Sequence, residues 1–259
     1  LEQKELRRAA SRLSFATMTS LPIQVLWTTL ATLILTVCGV NFMGPNTIGD
    51  FPPTAYYLIS SIASFLSIVL PFSFFLFFGK RKLSDTVLVE KNGVLNSVLL
   101  VFAGLAVSVL MNIPANLISQ LLEGAGLNGD ANTADLLAMT PVQALTMFVS
   151  VVLVAPVTEE FAFRSVTTAV MRRWGDWPAV IFSALIFGMA HYSIQSLPVV
   201  LMAGFVMALL YVRTRNIWVN IFVHMLNNLL ATLPIALEGL VGADAANIAS
   251  NLLTYIVYG

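Results

Sequence analysis

The chain has 259 residues, 58% of them hydrophobic and 10% charged, with 13 basic side chains against 13 acidic and a mean hydropathy of +0.87. A soluble domain carries about a quarter charged residues, so a soluble enzyme, a nucleic-acid binder and a disordered chain are all excluded. The one cysteine, Cys38, lies inside an apolar run, which excludes a disulfide framework and a cysteine-rich zinc site.

The first segment, 1–20, is amphipathic and mostly basic, as a helix lying on a membrane surface would be. The apolar run after it is too long for a cleavable signal peptide. Stretches near the roughly 20 residues needed to span a bilayer follow at 21–43, 55–79, 94–121, 141–172, 178–197, 198–212 and 217–237. A weaker stretch at 247–259 reads as a short eighth helix or an interfacial tail. The fold expected is all-α, a polytopic bundle of seven or eight transmembrane helices. Its parts are an amphipathic segment (1–20), three helices with their loops (21–140), a helical core (141–237) and a C-terminal helix or tail (238–259).

Charge placement orients the bundle. With the N-terminus cytoplasmic, the cytoplasmic segments hold Lys4, Arg7, Arg8, Arg12, Lys80, Arg81, Lys82, Lys91, Arg172, Arg173, Arg213 and Arg215. The opposite side holds Asp50, Glu123, Asp130, Asp135, Glu238 and Asp244, with no Lys or Arg. That segregation is the positive-inside pattern. Trp174 and Trp177, beside Arg172 and Arg173, read as an interfacial belt, and Phe72–Phe78 as apolar surface facing lipid or another helix.

Very few ionisable groups remain inside the spans: Glu159, Glu160 and Arg164 in the fourth, His191 in the fifth and His224 in the seventh. Each intramembrane charge costs at least about 2.5–3.5 kcal/mol at mid-depth, so such residues pair with one another or carry function. At about 1.5 Å per residue, Glu160 lies roughly 18 Å from the cytoplasmic end of its helix, His191 about 20 Å, His224 about 14 Å and Asn228 about 20 Å. Three helices thus place polar groups in one layer. Glu160 and Arg164 stand at i,i+4 and can form a charge-assisted pair, while Glu159 is rotated by about 100° to another face. Phe187 and His191, and His224 and Asn228, share the i,i+4 spacing. A carboxylate with a histidine can polarise water for attack on a carbonyl, and a second histidine with an asparagine can donate to the developing oxyanion.

Three motifs accompany this layer in order: EExxxR at Glu159–Arg164, FxxxH at Phe187–His191 and HxxxN at His224–Asn228. Together they resemble the CAAX protease and bacteriocin-processing family of intramembrane endopeptidases, whose best-known member is the type II CAAX prenyl endopeptidase. The resemblance covers about 141–237. It implies that Glu159 activates water with His191 positioning it, that Glu160 and Arg164 support the site, and that His224 and Asn228 hold the oxyanion. It also implies glutamate-dependent hydrolysis without a metal, with zinc on Glu159, His191 and His224 as the alternative. The HExxH pattern of zinc proteases is absent, as are a GxS nucleophile and intramembrane aspartates. The expected partners are membrane lipid and a peptide or lipidated protein, cut near the cytoplasmic face, with no nucleic acid. The other readings are a non-catalytic membrane scaffold and a proton-coupled transporter. Against the transporter stands the lack of an internal repeat.

Overall fold

The computed structural model describes residues 2–39, 53–127, 141–194 and 196–258. Among them are nine helical runs: α1 (Glu2–Met18), α2 (Ser20–Val37), α3 (Pro53–Phe78), α4 (Val94–Gly124), α5 (141–171, in several segments), α6 (Asp176–Met189), α7 (Leu197–Thr214), α8 (Ile217–Val241) and α9 (Ala243–Tyr258). No strand occurs among the described residues; a single antiparallel bridge joins Val89 to Asn216. Asp50, Asp130 and Asp135 of the acidic side, residues 40–43 of the first expected span and most of the loop before residue 141 lie outside the described residues.

The chain is an all-α polytopic membrane bundle. Among the described residues, six helical stretches are long and apolar enough to cross a bilayer: 2–37, 61–78, 94–124, 144–174, 197–214 and 217–234. The span expected at 178–197 is broken. Its helix α6 has only 14 residues, about 21 Å at the usual rise, and ends before His191. The stop is local: Ala190 caps the helix, and Tyr192 takes a left-handed φ of +51° that no helix can continue through. Pro198 then opens α7 in its first turn, where a missing N–H does no harm. The stretch expected at 247–259 is also helical, as α9.

Lipid tails are as apolar as leucine, so the helices gain by close packing more than by leaving water. Gly204 of α7 shows how close: a Cβ there would stand 2.8 Å from Phe187 Cδ1 and 3.4 Å from the Ala184 backbone of α6. A ladder of edge-to-face rings runs through the core, Phe72 to Phe163 at 5.6 Å and Phe163 to Phe187 at 5.3 Å. Within Phe72–Phe78, Phe72 is thus core, while Phe74, Phe77 and Phe78 face outward. The basic helix α1 is exposed over much of its first half, but Leu13, Ala16 and Thr17 are buried against the bundle.

Helix α5 departs most from expectation. It is π-helical over Val149–Val154 and again over Glu160–Thr168. Such widened turns are rare and concentrate at functional sites. In the first, the Ala155 N–H bonds the carbonyl of Ser150, five residues back. The next donor in that register would be residue 156, a proline with no N–H. The carbonyl of Val151 is therefore left over, and Asn228 Nδ2 of α8 donates to it at 2.9 Å.

Candidate active site

Glu160, Arg164 and His224 form the buried centre. Glu160 and Arg164 are both 0% exposed, with Arg164 Nη1 at 3.2 Å from Glu160 Oε1. The i,i+4 pair read from the sequence therefore forms, inside the second π-turn. His224 Nδ1 lies 2.9 Å from the same oxygen, and Asn220 Nδ2 donates to Oε2 at 3.3 Å. Asn220 also donates to the carbonyl of Met207, which ties α5, α7 and α8 together at this point. The Arg164 guanidinium stacks 4.2 Å from the centroid of Phe187 and reaches the Gly204 carbonyl at 3.5 Å. The Glu160 carboxylate is thus compensated on both oxygens, while Arg164 Nε and Nη1 and Asn220 Oδ1 make no hydrogen bond among the described residues.

Glu159 stands differently. Its side chain is 15% exposed, and Oε2 approaches His224 Nε2 at 3.7 Å, beyond hydrogen-bond range. That oxygen is buried and accepts no hydrogen bond among the described residues. With His224 Nδ1 given to Glu160, it is Nε2 that faces Glu159. The imidazole therefore bridges the two carboxylates, one on each nitrogen.

His191 sits just past the end of α6 and is exposed. Its Nδ1 lies 2.9 Å from the carbonyl of Phe187, which fixes Nδ1 as the protonated nitrogen and leaves Nε2 as the basic one. Phe187 is the shared wall: its ring meets His191 at 4.8 Å and His224 at 5.8 Å, both edge-to-face. The Phe187 ring thus meets Arg164, His191 and His224, and His224 in turn faces Glu159 and Glu160. Asn228 lies one turn beyond His224 and is engaged with the Val151 carbonyl through one of the two N–H donors of its amide.

Two contributors were not among the expected residues. Asn220 precedes His224 by four residues, so Asn220, His224 and Asn228 form one polar stripe on α8; the spacing alone could have marked it. Tyr192 is the other. Its hydroxyl bonds Ser20 Oγ at 2.7 Å and the Thr17 carbonyl at 3.2 Å, which ties the His191 loop to the junction of α1 and α2. Nothing in local spacing links residues so far apart in the chain.

The alternative zinc set, Glu159, His191 and His224, does not assemble as ligands. Among the described residues no group of three His, Cys, Asp or Glu is placed to hold a metal ion.

Comparison with known proteins agrees with the three motifs. Residues 141–230 match the family described as Type II CAAX prenyl endopeptidase Rce1-like. Over 140 residues the chain is 31% identical to "Putative membrane peptidase YdiL" of Bacillus subtilis (strain 168). That match covers 54% of this chain and 57% of the relative, so the chain spans little more than half the relative's length. No solved structure matches. The matched segment runs from the start of α5 into α8 and carries EExxxR, FxxxH and HxxxN in order. By that core the chain is similar to the Type II CAAX prenyl endopeptidase Rce1-like family and to a membrane peptidase relative.

Proposed function

We propose that this chain is a glutamate-dependent intramembrane endopeptidase that hydrolyses a peptide bond of a membrane-associated protein or peptide near the cytoplasmic face. The observation that carries the reading is the contrast at His224, with a fully satisfied Glu160 on one nitrogen and an uncommitted Glu159 oxygen facing the other. Glu159 takes a proton from water as the hydroxide equivalent attacks the scissile carbonyl carbon. The carbonyl π-bond opens to a tetrahedral oxyanion, and Glu159 returns the proton to the leaving nitrogen as the C–N bond breaks. General-base help of this kind is worth about 10²–10⁴-fold.

His191 presents its Nε2 to the attacking water. The second N–H of the Asn228 amide serves the oxyanion, as does His224 Nε2 when the ring carries a proton on both nitrogens, its Nδ1–H being held by Glu160; one such donor is worth about 10²–10³-fold. Glu160 and Arg164 hold His224 in place and do not touch substrate. The cytoplasmic location follows from the twelve Lys and Arg residues assigned to that side, and the peptide substrate from the family and from the relative's name.

The test is cleavage of membrane-associated peptides by the purified chain in proteoliposomes, comparing wild type with Glu159→Gln and His191→Ala, with and without a chelator. Cleavage lost in both variants and indifferent to chelation is expected. Variants that cleave as fast as wild type overturn the assignment, and loss on chelation restored by zinc overturns the metal-free chemistry.

A further inference from the structure

A second feature lies away from the peptidase site and does not depend on it. Between α1, the end of α3 and the end of α5 runs an open groove of about 1170 Å³. One part of it is cationic. Arg8 and Arg12 of α1 stand one turn apart on the same helix face, and Arg81 joins them from just past the end of α3. None of these three guanidiniums has an ion-pair partner among the described residues. Arg173 also lines the groove and is paired with Glu5, the one acidic residue on its wall. Another part is aromatic: Phe15, Phe74 and Phe78 line the groove and are 69%, 55% and 76% exposed.

The order of these residues fits a membrane boundary. The run Phe74–Phe78 ends a spanning helix, and Lys80, Arg81 and Lys82 follow it at once. A soluble anion would meet the arginines and leave the phenylalanine surface in contact with nothing of its own kind. A zwitterionic lipid would cover the rings but would not neutralise three unpaired guanidiniums. An anionic phospholipid does both, with its phosphate at the arginines and an acyl chain along the rings. Basic clusters at the end of a membrane helix attract anionic lipid. We propose that the α1–α3–α5 groove is a binding site for one anionic phospholipid, with Arg8, Arg12 and Arg81 on its headgroup and Phe74 and Phe78 on its chain.

The full chain in detergent micelles, titrated with phosphatidylglycerol and followed by native mass spectrometry, tests this. One phosphatidylglycerol is expected to be retained at least tenfold more tightly than phosphatidylcholine. The Arg8→Gln/Arg12→Gln/Arg81→Gln variant should lose that preference. Arg7→Gln, on α1 but outside the groove, should keep it, as should Lys4→Gln. Because the triple variant could misfold, each single substitution is measured too, with about a threefold loss expected from each. The proposal fails if phosphatidylcholine binds as well, or if the groove variants retain phosphatidylglycerol. It also fails if Arg7→Gln or Lys4→Gln weakens binding as much as the groove variants, which would indicate diffuse attraction to the whole basic helix. Displacement of the lipid by equimolar inorganic phosphate overturns it as well, since the site would then recognise phosphate without the chain.

Discussion

Glu159 and Glu160 are the same side chain one residue apart, and the bundle gives them opposite environments. Glu160 is sealed at 0% exposure with Arg164, His224 and Asn220 on its oxygens. Glu159 is 15% exposed and holds an oxygen that accepts no hydrogen bond among the described residues. A buried carboxylate so fully satisfied is fixed, and removing it leaves its partners uncompensated. A carboxylate with free lone pairs is available to take a proton. Adjacent positions on a helix point about 100° apart, and that rotation is enough to seal one carboxylate in an ion-pair network and leave its neighbour partly exposed.

Substituting each carboxylate by its isosteric amide tests this division most severely. Glu159→Gln should lower peptide cleavage by about 10²–10⁴-fold while thermal unfolding in detergent stays near wild type. Glu160→Gln should instead destabilise, because the Arg164 guanidinium remains at 0% exposure without its ion-pair partner; breaking a buried pair from one side costs about 3–5 kcal/mol. Equal losses of stability in the two variants would erase the distinction. A stable Glu160→Gln protein with no activity would move Glu160 from scaffold to chemistry.

Gly204→Ala ranks next. The added methyl would lie 2.8 Å from Phe187 Cδ1 and close to the backbone of α6, so the ring must move. Overpacking of this sort costs about 1–3 kcal/mol. The ring supports Arg164 and both histidines, so cleavage should fall together with stability. Unchanged activity would mean that the Phe187 wall does not set the positions of the imidazoles.

Much of this was legible in the sequence, for physical reasons. Charge is costly in a bilayer, so Glu159, Glu160, Arg164, His191 and His224 stood out against apolar runs, and i,i+4 spacing correctly paired Glu160 with Arg164. What was not legible depends on backbone geometry or on contacts distant in the chain. Apolar content ran on through residues 178–197, and nothing in composition signalled that α6 would stop at Met189. The depth estimate assumed a uniform α-helix, whereas α5 is widened twice. Pro156 was visible, but its consequence was not. A proline ordinarily removes one donor; here the unmatched carbonyl is Val151, and it recruits Asn228 from α8. The asparagine read as an oxyanion donor thus also stitches two helices.

The smallest expected effect comes from the strap on His191. Tyr192 follows His191 with a left-handed φ of +51°, and its hydroxyl meets Ser20 Oγ and the Thr17 carbonyl. The loop after α6 has no helix of its own to hold it, and this contact with α1 and α2 ties down the segment that carries His191. Tyr192→Phe removes only the hydroxyl, a loss of about 0.5–1.5 kcal/mol, and should slow cleavage by several-fold at most. A small effect of that size could arise anywhere, so the informative measurement is the pair. If Tyr192 acts by placing His191, then Tyr192→Phe should have little further effect in a His191→Ala background, and the two substitutions should be strongly non-additive. If Tyr192→Phe slows the residual cleavage of His191→Ala by the same factor as it slows wild type, the strap serves the bundle as a whole and not the histidine. In that case the exposed half of the site, unlike the sealed Glu160 half, is positioned by something other than this hydroxyl.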